Sequence, residues 1–141
     1  MLVEMYRRWL FELWGNGDEA VAAEVLHEDL VDHNRAAGQP AGRAGDVWAA
    51  RAVRAAFPDL VFELDVAFEQ DDLVTGRWTM RGTHTGPLHT PFGVLPPTGS
   101  EVVVGMPGRY RLSGGKIVEE RVDMDLEDFM RQLGIAAPAQ G

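Results

Sequence analysis

A chain of 141 residues with 45% hydrophobic and 25% charged residues has the size and composition of one globular domain, which we assign to residues 1–141. Its 22 acidic and 13 basic residues give a net charge of -9, which argues against nucleic acid and anionic membrane surfaces as partners. The sequence has no cysteine, so disulfides, thiolate metal sites and cysteine nucleophiles are excluded.

The first part of the chain is predicted to be mostly helical. Apolar residues at helical spacing predict an amphipathic helix over residues 2–14. Charged residues interrupt this segment too often for a signal peptide or a membrane span, so we expect a cytoplasmic protein. Asp18 is placed to cap a second helix that runs to about Leu26, "DLVDHN" is typical of a short strand, and a third helix is expected over 44–56.

The second part is predicted to consist mostly of strands. Apolar residues alternate with other residues from Leu60 to Phe68, which predicts a half-buried strand, and "EQDD" then turns the chain into a second strand. A proline-rich loop is followed by a hairpin with strands 101–112 and 116–124, a helix over 125–133 and a flexible tail at 135–141. This order predicts an α+β fold with helices on one face of a curved, mainly antiparallel sheet that encloses a pocket for a small apolar ligand.

The predicted register of the final hairpin identifies two candidate acids. A turn at "SGGK" pairs Met106 with Asp123 and Val104 with Asp125, so both aspartates share the apolar face that carries Tyr110. A carboxyl group on an apolar face loses hydration, which raises its pKa and makes it a competent general base near neutral pH. Asp123 and Asp125 are therefore predicted to be catalytic.

Structural roles for the same residues remain open. Asp125 precedes the last helix and is suited to cap it, and Asp123 could pair with a basic residue such as Arg121. The predicted register also places Arg109 opposite Glu120 on the solvent side, as an exposed ion pair.

The histidines and tryptophans supply further candidates. His33 and His84 could each bind a substrate carbonyl or orient the acid, whereas His89 lies in the proline-rich loop, where a surface role or a lid role is expected. Trp9, Trp48 and Trp78 could form walls for a flat aromatic ligand. No paired histidine spacing, phosphate loop, dinucleotide fingerprint or serine elbow is present in the sequence, so we predict no metal and no cofactor.

Six segments in order carry a family resemblance: "YRRWLFELWGNGD", "VDHN", "AAFPDLVFEL", "GRWTMRGTHTG", "PPTG" and "GGKIVEERVDMDLEDFMRQLG". With them the chain resembles the SnoaL-like polyketide cyclases of the NTF2-like superfamily over residues 2–134. The resemblance implies a cone-shaped α+β fold with a deep pocket, and a homodimer. It also implies cofactor-independent intramolecular aldol closure of a polyketide ester by an acidic residue on the last strand.

Several residues of this chain match positions of that family. Asp123 or Asp125 matches the acid, His33 and Asn34 match a pocket-lining segment, and His84 matches the histidine of the "GTHTG" strand end. The sequence departs from the family pattern at Arg121 and in the loop from Pro87 to Pro97. The predicted substrate-binding residues are Asn34, Trp9, Trp48, Trp78, Met106 and Tyr110.

Two classes of function follow from this interpretation. The first is an enzyme that performs acid/base chemistry on an apolar carbonyl compound, as a polyketide cyclase or as an isomerase or dehydratase with the same pocket. The second is a dimeric domain that binds a small lipophilic molecule without chemistry.

Overall fold

The computed structural model describes residues 1–135. Helix α1 spans Leu2–Arg8 and continues as a π-helix over Trp9–Gly15; a 3₁₀ turn at Glu19–Val21 precedes α2, Ala22–Val25; α3 spans Gly42–Ala56 and α4 spans Leu126–Gln132. The strands are β1 Leu26–Asp32, β2 Val61–Gln70, β3 Leu73–Thr83, β4 Leu88–Thr90, β5 Gly93–Leu95, β6 Glu101–Ser113 and β7 Lys116–Val122.

Five strands form one sheet in the order β1-β7-β6-β3-β2, with β1 parallel to β7 and the other neighbours antiparallel. Strands β4 and β5 form a separate small hairpin. The helices pack on one face of the curved sheet, and the core lies between them, with Tyr6, Trp9, Leu10 and Tyr110 among its fully enclosed side chains. The predicted α+β fold is confirmed.

The first helix differs from the prediction because it changes its pitch. The predicted regular helix over residues 2–14 becomes a π-helix at Trp9. In an α-helix, residues five apart lie about 140° apart around the axis, whereas the wider π-helical turn brings them closer to one side. Trp9 and Trp14 therefore point to the same region of α3. Asp18 caps the following turn as predicted, since its Oδ1 accepts the Ala20 N–H at 3.2 Å.

Strand β2 contains a bulge that reverses its two faces. The register with β3 shifts between Leu64 and Val66. Phe62 before the bulge is buried, but Val66 and Phe68 after it are about half exposed. The alternation predicted from Leu60 to Phe68 is thus right for the first half of the strand and wrong for the second, because one inserted residue exchanges the two sides.

A second bulge lies in the β6–β7 hairpin. Gly114 and Gly115 form its two-residue turn with φ of 60° and 79°, a conformation that glycine adopts without strain. Leu112 pairs with Ile117, but Arg111 then pairs with Glu119 and Tyr110 with Glu120. The predicted pairing beyond Leu112 is therefore wrong.

The bulge leaves Val118 outside the ladder, and every later residue of β7 moves by one position. Glu120, predicted to form an exposed pair with Arg109, is instead buried opposite Tyr110, and Arg109 faces Arg121. The strand ends at Val122, before Asp123.

The predicted tail, 135–141, lies outside the described residues except for Ile135, whose N–H donates to the Met130 carbonyl at 3.0 Å. Across residues 1–135, no helix is long and apolar enough to cross a membrane.

Candidate functional site

Two connected chambers lie between the helices and the concave face of the sheet. The polar chamber, of about 200 Å³, is lined by Asp32 and Glu120 and by the four tryptophans. The apolar chamber, of about 410 Å³, lies toward α4 and the β4–β5 hairpin. Its lining is mostly aromatic and aliphatic and includes Phe57, Met80, Phe92, Leu95, Phe129 and Met130. A cavity with one polar end and a long apolar end suits a small, mainly apolar ligand.

A cluster of three carboxyl groups closes the polar chamber. Asp32 ends β1, Asp46 lies in the second turn of α3, and Glu120 is on β7, and carboxyl oxygens of all three lie within 4.8 Å of one another. Asp46 is fully buried and Glu120 is 4% exposed. Like charges so close in a buried site cannot all remain ionised, so the cluster retains a proton.

The hydrogen bonds indicate which group holds that proton. Asp46 Oδ2 accepts the indole N–H of Trp9 at 2.9 Å and of Trp14 at 3.1 Å. Asp32 accepts the backbone N–H of Asn34 at 2.7 Å and the Gln39 side-chain amide at 2.9 Å. Within the described residues, Glu120 Oε2 and Asp46 Oδ1 are buried and receive no hydrogen bond. A proton on Glu120, shared with Asp46, satisfies both oxygens.

The electrostatics of the site agree with this assignment. Burial, and then the nearby charges of Asp46 and Asp32, raise the pKa of Glu120 well above its usual value. Burial also raises the pKa of Asp46, while hydrogen bonds from Glu120, Trp14 and Trp9 oppose that shift. Asp46 is therefore the stabilised anion of the pair, and Glu120 is the acid.

The same three oxygens could be considered as ligands for a divalent cation. One Asp46 oxygen already accepts two indole N–H groups, and both Asp32 oxygens accept N–H groups, which leaves few lone pairs directed toward a common centre. Magnesium and calcium prefer about six or more oxygen ligands. The donor set fits a proton better than a metal ion.

Asp123 and Asp125 do not line either chamber. Both are exposed, so the predicted position on the apolar face is wrong, and its physical reason is the bulge in β7. Asp125 Oδ1 accepts the Asp128 N–H at 3.0 Å and caps α4, as the structural alternative predicted.

Neither predicted histidine reaches the cavity. His33 Nε2 lies 2.7 Å from Glu119 Oε2 beside Arg109, Arg111 and Arg121, away from both chambers. His84 is fully buried behind Phe57, and burial lowers its pKa. Its Nδ1 accepts the Thr98 backbone N–H at 3.3 Å, and this hydrogen bond holds the loop before β6 in position.

Most of the predicted substrate-binding residues line the polar chamber, namely Trp9, Asn34, Trp48, Trp78 and Met106. The Asn34 side chain is held by the backbone of Val122, donating to its carbonyl at 2.9 Å and accepting its N–H at 2.8 Å. Tyr110 lines neither chamber and instead accepts the Trp78 indole N–H at 3.2 Å. Tyr110 thus supports the wall formed by Trp78.

Glu120, Asp46 and Asp32 were not predicted as site residues, and for His89 only a surface role or a lid role was predicted. His89 on β4 lines both chambers and packs edge-on against Trp48 at 5.0 Å between ring centroids. One signal for a buried Asp46 was available in the sequence. Asp46 precedes Ala49 and Ala50 by three and four residues, so it shares a helix face with these apolar residues, and both are buried.

The fold and this pocket define a small α+β protein of the cyclase-like, cone-shaped type. The family model for the SnoaL-like polyketide cyclases matches residues 4–133, and the chain belongs to that family. A search of curated protein sequences gave no match.

Solved structures with the same fold cover nearly the whole chain. TsrD from Streptomyces laurentii is 24% identical with a TM-score of 0.82, over 94% of this chain and 95% of that one. IdmH from Streptomyces antibioticus, a proposed polyketide cyclase, is 26% identical with a TM-score of 0.76. The match covers 96% of this chain and 99% of IdmH. A SnoaL-like polyketide cyclase from Agrobacterium tumefaciens is 20% identical with a TM-score of 0.77, over 95% and 98%.

Proposed function

We propose that the protein is a cofactor-independent enzyme in which Glu120 transfers a proton to and from a small apolar carbonyl substrate, with intramolecular aldol closure of a polyketide-like ester as the reaction. One observation carries this proposal. Glu120 is 4% exposed and lines the polar chamber, and its Oε2 receives no hydrogen bond from the described residues. The role predicted for Asp123 or Asp125 is transferred to Glu120.

Glu120 is a stronger base than Asp46 once it is ionised. Asp46 accepts two indole N–H groups, which stabilise its anion and weaken it as a base, and both oxygens of Asp32 are occupied by N–H groups as well. Glu120 lacks such donors, so its carboxylate gains most from taking a proton. Asp46 and Asp32 act as fixed charges that increase the proton affinity of Glu120.

The reaction then needs one proton to move out and back. The Glu120 carboxylate removes a proton from the carbon next to a substrate carbonyl, which leaves an enolate. The enolate carbon bonds to a second carbonyl carbon of the same molecule, and the new alkoxide takes the proton from the Glu120 carboxylic acid. Such proton transfers require neither a redox cofactor nor a metal. In this proposal His89, which lines both chambers, donates the hydrogen bond to the enolate that was predicted for His33 or His84.

Exchange of an acidic carbon-bound proton tests the role of Glu120. The probe is 2-tetralone in D₂O, followed by proton NMR. We expect the wild type to accelerate exchange and Glu120→Gln to lose on the order of 10²-fold or more of that acceleration. Asp123→Asn and Asp125→Asn are matched controls that should exchange at the wild-type rate. Wild-type exchange in Glu120→Gln would refute the assignment.

Ring closure needs its own assay. Heptane-2,6-dione closes by an intramolecular aldol reaction, and its loss is measured by gas chromatography. We expect the wild type to accelerate closure and Glu120→Gln to lose that acceleration. If 2-tetralone exchanges but the diketone does not close, the proton transfer stands and the cyclase reaction is contradicted in favour of an isomerase or dehydratase.

We also propose a homodimer that uses the outer face of the sheet. Val61, Val66, Phe68 and Val103 are 47–55% exposed on this face, and their burial against a second copy would remove apolar area from water. Light scattering after size-exclusion chromatography should give twice the chain mass for the wild type and the chain mass for Phe68→Asp. A monomeric wild type would contradict the proposal.

A further inference from the structure

The polar chamber carries negative charge without a positive partner. Within the described residues, no lysine or arginine lines either chamber. Every ion pair found over residues 1–135 joins other groups and leaves Asp32, Asp46 and Glu120 unpaired. Buried carboxylates are normally paired with a cation, because their desolvation is costly.

The neighbours of Glu120 supply no fixed positive charge. Asp32 faces it from β1, Asp46 from α3 and the neutral phenol of Tyr110 from β6. His89, from β4, lines the same chamber, but its imidazole is not a permanent cation of the kind that lysine or arginine would supply. The unpartnered Oε2 of Glu120 therefore lies at the wall of a cavity whose negative charge is not neutralised by a lysine or arginine of the described residues.

The aromatic lining points to the same kind of ligand. All four tryptophans of the chain, Trp9, Trp14, Trp48 and Trp78, line the polar chamber. The face of an indole ring carries partial negative charge and attracts an ammonium group, most strongly where water is excluded. Carboxylates and indole rings together form the chemical surroundings that a protonated amine prefers.

The proposed chemistry strengthens this argument. Proton removal next to a carbonyl creates an enolate, and an enolate beside two carboxylates would be repelled unless a positive charge lies close to it. Since the described residues of the pocket supply no such charge, the substrate is its natural source.

We infer that the substrate is an apolar carbonyl compound that carries a protonated amine, with the ammonium group at Asp32 and Glu120 and the apolar body in the apolar chamber. This inference rests on the proposed function for the identity of the site. When the ammonium enters, Glu120 releases its proton to solvent, and the carboxylate that remains then removes the carbon-bound proton. The substrate charge thus increases the fraction of Glu120 that is ionised and able to act as a base, and it stabilises the enolate that follows.

A matched ligand series tests the charge preference without turnover. The probes are 2-aminotetralin, 2-tetralol and tetralin-2-carboxylate, titrated at pH 8 while the tryptophan indole N–H signals are followed by NMR. We expect the amine to bind at least tenfold more tightly than the alcohol, and the carboxylate at least tenfold more weakly. Equal affinity of amine and alcohol, a carboxylate that binds as tightly as the alcohol, or no binding of any probe would overturn the inference.

A variant and a proton count locate the effect. Asp32→Asn should reduce the preference for amine over alcohol by at least fivefold, whereas Asp123→Asn should keep it. Calorimetry of the wild type in buffers of different ionisation enthalpy should show up to one proton released per amine bound and none per alcohol. This measurement stands even if Asp32→Asn fails to fold, and absence of proton release would contradict the inference.

The two proposals can fail separately. Loss of 2-tetralone exchange in Glu120→Gln together with equal amine and alcohol affinities would keep the catalytic role and reject the amine. A clear amine preference with unchanged exchange in Glu120→Gln would keep the ligand class and reject the catalytic role.

Discussion

The carboxyl group of Glu120 and those of Asp123 and Asp125 lie on one short stretch of chain but in opposite environments. Glu120 is enclosed between Asp46, Asp32 and Tyr110, and its pKa is raised by burial and by the neighbouring carboxylates. Asp123 is exposed, and Asp125 is exposed and accepts a backbone N–H at the start of α4.

The backbone register of β7 therefore decides that Glu120 is the carboxyl group whose pKa is raised by burial. One bulge residue, Val118, determines which carboxyl group of the C-terminal stretch faces the cavity. The buried group gains a shifted proton affinity, whereas an exposed group gains at most a local hydrogen bond. Substitutions in the two environments should therefore differ in kind as well as in size.

The largest effect is expected where the buried cluster loses its central acceptor. Asp46→Ala removes the acceptor of the Trp9 and Trp14 indole N–H groups and of the shared proton. Because these buried donors are left without partners, the free energy of unfolding should fall by about 2–5 kcal/mol. Urea denaturation followed by tryptophan fluorescence measures it.

A gentler substitution separates the hydrogen bonds from the loss of volume. Asp46→Asn keeps one oxygen for the indole groups and should cost about 1–2 kcal/mol. Asp123→Ala is the matched exposed control. A loss of less than about 0.5 kcal/mol in Asp46→Ala would show that the buried cluster contributes little to stability.

The next effect is a pH dependence of the free energy of unfolding that comes from the buried Glu120. Since the pKa of Glu120 is higher in the folded state, its contribution to stability is complete below the ordinary glutamate pKa and is lost as pH rises through the folded value. The wild-type free energy of unfolding should therefore fall with rising pH, by at most about 1.4 kcal/mol per pH unit for one proton.

The variant Glu120→Gln isolates this contribution. It has no proton to lose at that position, so its curve of unfolding free energy against pH should be flatter as pH rises above the ordinary glutamate pKa. His84, whose pKa is lowered by burial, contributes the opposite slope below its ordinary value of 6.5, but equally in both proteins. Parallel curves in urea denaturation would contradict the assignment of the proton to Glu120.

Most of the fold could be predicted from the sequence because it rests on short-range patterns. The glycine turn at Gly114 and Gly115, the Asp18 cap and the alternation along β6 each depend on a few adjacent residues. The boundaries of α3 and the order of helices and strands follow from the same local signals.

The site could not be predicted, since it depends on two departures from regular geometry that leave little trace in residue type. The bulge in β7 follows Ile117, and the residue left over, Val118, is as suited to a regular strand as to a bulge. The π-helical turn likewise consists of ordinary helix-forming residues, although it brings the indole groups of Trp9 and Trp14 to the carboxylate of Asp46. The predicted register of the β6–β7 hairpin is right at Leu112 and wrong from Arg111 onward.

On the exposed side, the largest expected effect is the loss of a helix cap. Asp125→Ala removes the acceptor of the Asp128 N–H, and the free energy of unfolding should fall by about 1 kcal/mol. The destabilisation should be confined to α4, so amide hydrogen exchange should increase in α4 more than in the sheet. Because α4 contributes Phe129 and Met130 to the apolar chamber, a larger loss, with altered exchange throughout β6 and β7, would contradict a purely local role.

The smallest effect is expected at Asp123, the residue whose position the bulge changed most. Its backbone N–H donates to the Pro107 carbonyl at 2.8 Å, and this bond survives any change of side chain. The exposed carboxylate makes no hydrogen bond or ion pair within the described residues, so Asp123→Asn should change the free energy of unfolding by less than about 0.5 kcal/mol. A loss of about 1 kcal/mol or more would show that the Asp123 side chain makes a stabilising contact, and the observed register of β7 would then be the feature to revise.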